Sequence, residues 1–323
     1  MHNFANNSGV SRISSYVRAH KGTVFTATFY ILLIVFVGLY VQNLDFSEVN
    51  LANFSWYYFF LAAIAVMISR YYATFIWVSI LKRLGAKNVS YSKELIYVYA
   101  KSWLGRYIPG KAPWILGKIY FASNKGVSKN KLGVSSLLEA ALQITVTFAI
   151  AFLILALDTR TEIFDSWIRL LMTVAFIGCI IVILPPVFNR VLSVIYRVIK
   201  KKPFSPEHHI DTKTVLAGIR LYIGGAIIGG FAFFFIAKAV YPEIAWEDFF
   251  YIFGASSLAN AISMVAIFAP SGIGVREGVQ VALFSVIMPI EIALSIAVIT
   301  RIWFLIIDFV FYGVSLAAYK LSS

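Results

Sequence analysis

The residues best placed to do chemistry lie in one stretch, Pro270-Ser271-Gly272-Ile273-Gly274-Val275-Arg276-Glu277-Gly278. A proline, three glycines and two opposite charges inside an apolar region do not fit a lipid-facing helix. Proline removes a backbone donor, and glycine lowers the cost of tightly turned or left-handed backbone. In hydrocarbon such backbone survives only when buried in protein or lining a wet cavity, so Arg276 and Glu277 mark a site. Pro270, Gly272 and Gly274 set its turn.

An earlier stretch reads as its partner: Arg106-Tyr107-Ile108-Pro109-Gly110-Lys111-Ala112-Pro113-Trp114. Here Pro109 and Gly110 break an apolar segment that carries Arg106 and Lys111. One break in each half of a membrane protein points to a site built from discontinuous helices. Residues 105–111 also fit the start of a phosphate-binding P-loop, but Ala112 stands where the magnesium-binding Ser or Thr belongs, and no strand precedes it. A nucleotide site is therefore rejected. A glycine turn beside a lysine can still receive a lipid phosphate.

Charges in apolar segments cost roughly 2.5–3.5 kcal/mol each at the bilayer centre on insertion scales, so each needs a partner or a wet path. The candidates are Arg70, Lys101, Arg106, Lys111, Arg276 and Arg301 against Glu139, Glu277 and Asp308. The surplus is basic, and a net positive interior wants an anion such as phosphate. Arg106, Lys111, Arg276 and Arg301 are the expected binders. Glu139, Glu277 and Asp308 either exchange protons or lock helices together as ion pairs.

The elements that must position these residues follow from composition. The chain has 323 residues, 60% hydrophobic and 13% charged, with a mean hydropathy of +0.82, which defines an all-α polytopic membrane protein. About 20 helical residues cross a hydrocarbon core of ~30 Å. By that rule 23–42, 56–78, 132–157, 168–186, 215–240 and 292–319 are full crossings, and 94–120 and 249–289 contain the breaks. Basic residues around 12–21, 82–93, 118–131 and 190–213 place those segments, and both termini, in the cytoplasm; acidic residues around 45–48, 158–165 and 243–248 face outward.

On that orientation the first broken segment enters and leaves from the cytoplasmic side and the second from outside, as re-entrant hairpins; eight crossings are the alternative. Residues 1–22 form a cytoplasmic tail and 23–320 one transmembrane domain, with halves 23–157 and 168–320 related as an inverted-topology repeat. Gly224, Gly225, Gly229 and Gly230 favour close helix packing.

Other features exclude function classes. The excess of 28 Lys and Arg over 15 Asp and Glu reflects topology, and no nucleic-acid motif accompanies it. The one cysteine, Cys179, excludes an internal disulfide. The adjacent His208 and His209 lack helical spacing and a third ligand, so neither metal nor other cofactor is expected. The Lys200–Lys202 run reads as a solvated topology signal or a contact with anionic headgroups. The N-terminal residues carry no apolar core with a cleavage site, so no removable signal is expected.

The pairing of Arg106-Tyr107-Ile108-Pro109-Gly110-Lys111 with Pro270-Ser271-Gly272-Ile273-Gly274-Val275-Arg276-Glu277, with Glu139 in the helix after the first, resembles the lysylphosphatidylglycerol synthase/flippase family, specifically its transmembrane flippase domain. The resemblance runs from about residue 25 to 319 and implies an inner-membrane protein that moves an anionic or aminoacylated lipid between leaflets. The family's soluble aminoacyltransferase domain has no counterpart, so synthesis of lysylphosphatidylglycerol is not expected. The expected function is translocation, without an ATPase, of a phosphate-bearing phospholipid or polyprenyl-phosphate-linked saccharide through a cavity between the hairpins. The alternatives are a lipid-modifying enzyme or glycosyltransferase, or an accessory subunit with homo-oligomeric or envelope-synthesis partners.

Overall fold

The chain divides into two compact units, Met1–Phe46 and Ser47–Ser323. The computed structural model describes residues 53–87, 89–107, 112–160, 166–200, 210–266 and 272–321, all within the second unit. The tail at 1–22, the crossing expected at 23–42, and Pro109, Gly110, Lys111, Lys201, Lys202, His208, His209 and Pro270 lie outside the described residues.

All regular structure among the described residues is helical, with no strand among them. In order they form α1 (Trp56–Arg83), α2 (Lys93–Trp103), a 3-10 turn (Leu104–Tyr107), α3 (Ala112–Ser123), α4 (Lys129–Leu157), α5 (Ser166–Ile183), α6 (Pro185–Lys200), α7 (Thr212–Val240), α8 (Phe249–Val265), α9 (Val275–Phe284) and α10 (Ile290–Lys320). Six helices are long and apolar enough to cross a membrane: α1, α4, α5, α7, the run Trp246–Val265 that contains α8, and α10. Five match the expected full crossings. The sixth is the first arm of the second broken segment, so that arm alone has the length of a crossing.

Apolar side chains point outward as well as inward, which suits lipid rather than water as the surrounding solvent. Ile64, Ile68 and Phe75 of α1 and Ile302, Ile306 and Phe309 of α10 are exposed. Helix α5 buries no residue at all. Aromatic residues Trp56, Tyr57, Trp167 and Trp246 are exposed at helix starts, where amphipathic rings favour a membrane–water boundary.

The two broken segments each fold back on themselves. In the first, Ser92 caps α2 by accepting from the Leu95 N–H at 3.4 Å, and Glu94 sits in the first turn, where a negative charge suits the helix dipole. Lys125, just beyond α3, pairs with Glu94 at 2.6 Å, so both arms begin and end together. That hydrogen bond raises the exposed Lys125 ammonium above its ordinary range. In the second, the Tyr251 hydroxyl near the start of α8 donates to the Leu283 carbonyl near the end of α9 at 2.8 Å, joining those arms at their base.

The two bases lie at opposite ends of the long helices. Tyr319, at the end of α10, stacks on Tyr97 of α2 with ring centroids 5.0 Å apart, and Lys131 at the start of α4 donates to the Gly85 carbonyl just after α1. At the other end Arg160, after α4, pairs with Asp248 at 3.0 Å, and the Ser55 N–H donates to Ala239 O at 2.8 Å. Each hairpin has its own apolar core: Trp77, Tyr99, Trp103 and Leu132 around the first, and Phe234, Tyr251, Ile252 and Phe284 around the second.

Two segments depart from expectation. The expected crossing 168–186 ends at Ile183, and Pro185 and Pro186 open a separate helix, α6, because proline is tolerated in a first turn but not in a helix interior. Much of the basic stretch expected as a loop is therefore helical. Asn189 ties it down by donating to Ile210 O at 2.8 Å and accepting from the Ile210 N–H at 3.0 Å. Lys118, expected in a basic loop, lies instead in α3 and is fully buried.

Candidate functional site

Between the two hairpins lies a cavity of about 190 Å³. Three arginines line it, Arg70 from α1, Arg106 from the first break and Arg276 from α9. Its polar wall includes Gln143 and Thr147 of α4, Tyr222 of α7, and Ser256, Ser257 and Asn260 of α8. No carboxylate among the described residues lines it. Contributions from α1, α4, α7 and α10 come from the middle of each helix, which puts the cavity at mid-height of the long helices.

The breaks are shaped by glycine. Gly272 and Gly274 have φ of 71° and 82°, a region that glycine enters without a Cβ penalty. A side chain at Gly272 would overlap Ser263 Cβ and come 2.9 Å from its Oγ, so glycine also lets this turn press against α8. Gly274 is the N-cap of α9, and Glu277 accepts from the Gly274 N–H at 2.8 Å. Gly105 lies in the 3-10 turn before Arg106 and Tyr107, and Pro113 falls in the first turn of α3, where its missing N–H costs nothing.

Two carboxylates that do not line the cavity organise its cations. Asp308 of α10 accepts from Arg70 Nε at 2.5 Å, from Trp103 Nε1 at 2.9 Å and from the Tyr107 hydroxyl at 2.6 Å. The Trp103 ring in turn faces two guanidinium groups, Arg70 at 4.9 Å and Arg106 at 4.3 Å from its centre. Glu277 accepts from Arg276 Nε at 3.2 Å and lies 3.7 Å from Arg301 Nη1. Arg301 sits 5.8 Å from the Tyr107 ring centre, so the breaks meet through Tyr107, Arg301 and Glu277. Arg301 belongs to this network but does not line the cavity.

Arg276 is only 6% exposed, and its Nη2 lies 3.1 Å from Glu277 Oε1 as an ion pair without hydrogen-bond geometry, while the buried Ser256 Oγ has no hydrogen-bond partner among the described residues. Both belong to residues of the cavity wall, and a buried donor that makes no well-aligned hydrogen bond is costly. That leaves hydrogen-bonding capacity for an oxyanion.

Glu139 lies elsewhere. It pairs with Lys118 in a buried contact whose ammonium faces the rings of Trp114 at 4.5 Å, Tyr99 at 5.6 Å and Trp77 at 5.9 Å. Neither residue lines the cavity. All three carboxylates singled out from sequence thus sit in ion pairs.

Sequence reasoning placed Arg70 among the buried charges but assigned it no binding role, and it passed over Trp103. For Arg70 the signal was present, an arginine in the middle of an apolar crossing. The glycines of α7 split in function. Gly225, Gly229 and Gly230 line the cavity, but a Cβ at Gly224 or Gly230 would meet Tyr72 Oη or Phe253 Cδ2 at 2.6 Å, so these two also allow close packing, whereas a Cβ at Gly229 would meet nothing within 4 Å. Among the described residues no three His, Cys, Asp or Glu side chains gather as a metal site would require.

A shell of membrane-length apolar helices around a polar, arginine-lined cavity defines a multi-pass α-helical membrane protein. The chain belongs to the family described as the lysylphosphatidylglycerol synthase TM region, which matches residues 23–311. No match was found among curated proteins.

Proposed function

We propose that this protein is a lipid translocase that moves an anionic, phosphate-bearing lipid between leaflets without an ATPase of its own. The observation that carries this reading is that Arg106 and Arg276, from two different broken segments, line one cavity at mid-height of the long helices. A phosphate held there by arginine donors crosses the low-dielectric region without meeting it bare, while the acyl or prenyl chains stay in the bilayer. The broken segments are read as re-entrant hairpins of an inverted-topology repeat, entering from opposite membrane faces. Rocking of one half against the other exposes the cavity to each side in turn.

The end bearing Lys82, Arg83, Lys125 and Lys131 is read as cytoplasmic in an inner membrane. A transporter fits better than a lipid-modifying enzyme, because Asp308, Glu277 and Glu139 are each held by a cation instead of standing as a free acid and base.

Reconstitution tests the proposal. Purified protein in liposomes is expected to move a fluorescent anionic phospholipid from the inner to the outer leaflet without changing it covalently, and Arg276→Ala is expected to stop that movement. Movement by the variant at the parent rate, or a chemically altered lipid, overturns the reading.

A further inference from the structure

Helix α6 contributes no residue to the cavity, and its surface is unlike that of its neighbours. It follows α5 after a single residue, Leu184, where the chain bends. Helix α5 is apolar and buries no residue, so α6 starts where the chain leaves hydrocarbon. No Asp or Glu occurs between positions 166 and 206, whereas Arg190, Arg197 and Lys200 lie in α6 and Lys201 and Lys202 follow it.

The start of α6 is pinned to the bundle. Phe188 is buried in one cluster with Ile80 of α1, Leu138 of α4 and Val215 of α7, and Asn189 holds both backbone groups of Ile210. These contacts put α6 at the end where α1 finishes and α4 and α7 begin, the end that also carries Lys82, Arg83 and Lys131. Beyond Phe188 none of the described side chains of α6 is buried.

Val194 and Val198, four apart and so on one face, are 57% and 72% exposed. Arg190 and Arg197, seven apart, share the adjoining strip and are also exposed. A helix projecting into water would leave the valines wet, and one sunk in hydrocarbon would strip the arginines of water. Lying in the membrane interface satisfies both strips, with apolar side chains in the acyl region and cations at the headgroups. The absence of acids sets the sign of the partner, because guanidinium groups without a local carboxylate attract an anionic leaflet.

We propose that α6 is a docking surface for anionic lipid, lying along the membrane at the basic end of the bundle with Val194 and Val198 among acyl chains and Arg190 and Arg197 on headgroup phosphates. This surface is separate from the cavity and does not depend on transport.

Hydrogen exchange on the full chain in nanodiscs of phosphatidylcholine, with and without phosphatidylglycerol, tests the proposal. Amides of α6 are expected to exchange about tenfold more slowly when phosphatidylglycerol is present, and high salt is expected to remove most of that difference. Arg190→Gln combined with Arg197→Gln is expected to reduce the lipid effect to less than about twofold while exchange in α1 and α7 stays unchanged, which separates lost docking from misfolding. A nitroxide at Val198→Cys, in a Cys179→Ala background, is expected to collide more with oxygen than with a water-soluble nickel chelate, and one at Ser193→Cys to show the reverse.

Exchange in α6 that ignores phosphatidylglycerol overturns the inference, as does a Val198 label reached mainly by the nickel chelate. Dipolar broadening between Val198 labels of two copies in proteoliposomes assigns the face to a second copy and also overturns it. The expected lipid effect in a protein that moves no lipid sustains the inference and removes only the translocase reading.

Discussion

Arg70 of α1 and Asp308 of α10 meet at 2.5 Å, 238 residues apart in sequence, and the same carboxylate holds Trp103 and Tyr107 of the first break. One aspartate thus fixes a cavity arginine, the ring that carries a second, and the tyrosine beside Arg301. Its side chain is 1% exposed, and that of Arg70 is 11% exposed. Removing one partner of a buried pair strands the other charge, at a cost of about 3–5 kcal/mol. Asp308→Ala is therefore expected to lower the unfolding temperature and the yield of monodisperse protein in detergent. Arg70→Met combined with Asp308→Leu, which strands no charge but leaves Trp103 Nε1 and the Tyr107 hydroxyl without their acceptor, is expected to recover part of that stability without recovering lipid transfer. Full transfer by the double variant would remove the pair from the mechanism.

Gly229 and Gly230 both line the cavity, but they differ in the room they leave for a side chain. A side chain at Gly229 points into open space in the cavity wall, whereas one at Gly230 collides with Phe253. Gly229→Leu is expected to unfold within about 2 °C of the parent and to lose at least ~90% of transfer, because it fills the site and leaves helix packing untouched. Gly230→Leu is expected to fail in stability, by about 1–3 kcal/mol for overpacking. Thermal unfolding and liposome transfer measured on both distinguish a blocked cavity from a damaged helix contact.

The order and length of the crossings were legible because lipid imposes a long apolar run, and five expected spans coincide with helices. Arg106 and Arg276 were legible because Pro and Gly beside a charge make no sense in a lipid-facing helix. Trp103 was not legible, because its role depends on Asp308, 205 residues away, accepting its indole N–H. Lys118 was misread because local charge bias resembles a loop, while Glu139 and three aromatic rings hold it inside. The glycines of α7 could be assigned to packing or to a cavity wall only once their neighbours were in place.

The Lys118–Glu139 pair offers a separate test, since it lies outside the cavity yet is the kind of buried pair that could carry a proton. Glu139→Gln leaves the Lys118 ammonium against three rings without its counter-charge, and is expected to cost about 3–5 kcal/mol in stability. Lys118→Met with Glu139→Leu keeps the volume apolar and is expected to fold and to transfer lipid within about twofold of the parent, with an unchanged pH profile. Normal unfolding with transfer lost, or a pH profile flattened in the double variant, would place the pair on a proton path.

The turn before α9 ties local backbone to the site. Gly272 combines a φ of 71° with close contact against Ser263 on α8. Gly272→Ala meets both obstacles: a left-handed conformation that costs an L-residue roughly 1–2 kcal/mol, and a methyl group where Ser263 already stands. The turn is expected to shift away from α8 and to carry Gly274, the Glu277 cap and Arg276 with it, so that transfer falls at least ~10-fold, a loss larger than the change in unfolding temperature suggests. Ser263→Gly in the same protein removes the collision but not the backbone strain, and is expected to restore part of the activity. Restoration to the parent level would show that contact with α8 alone sets the position of Arg276, and no restoration would assign the whole effect to the left-handed backbone.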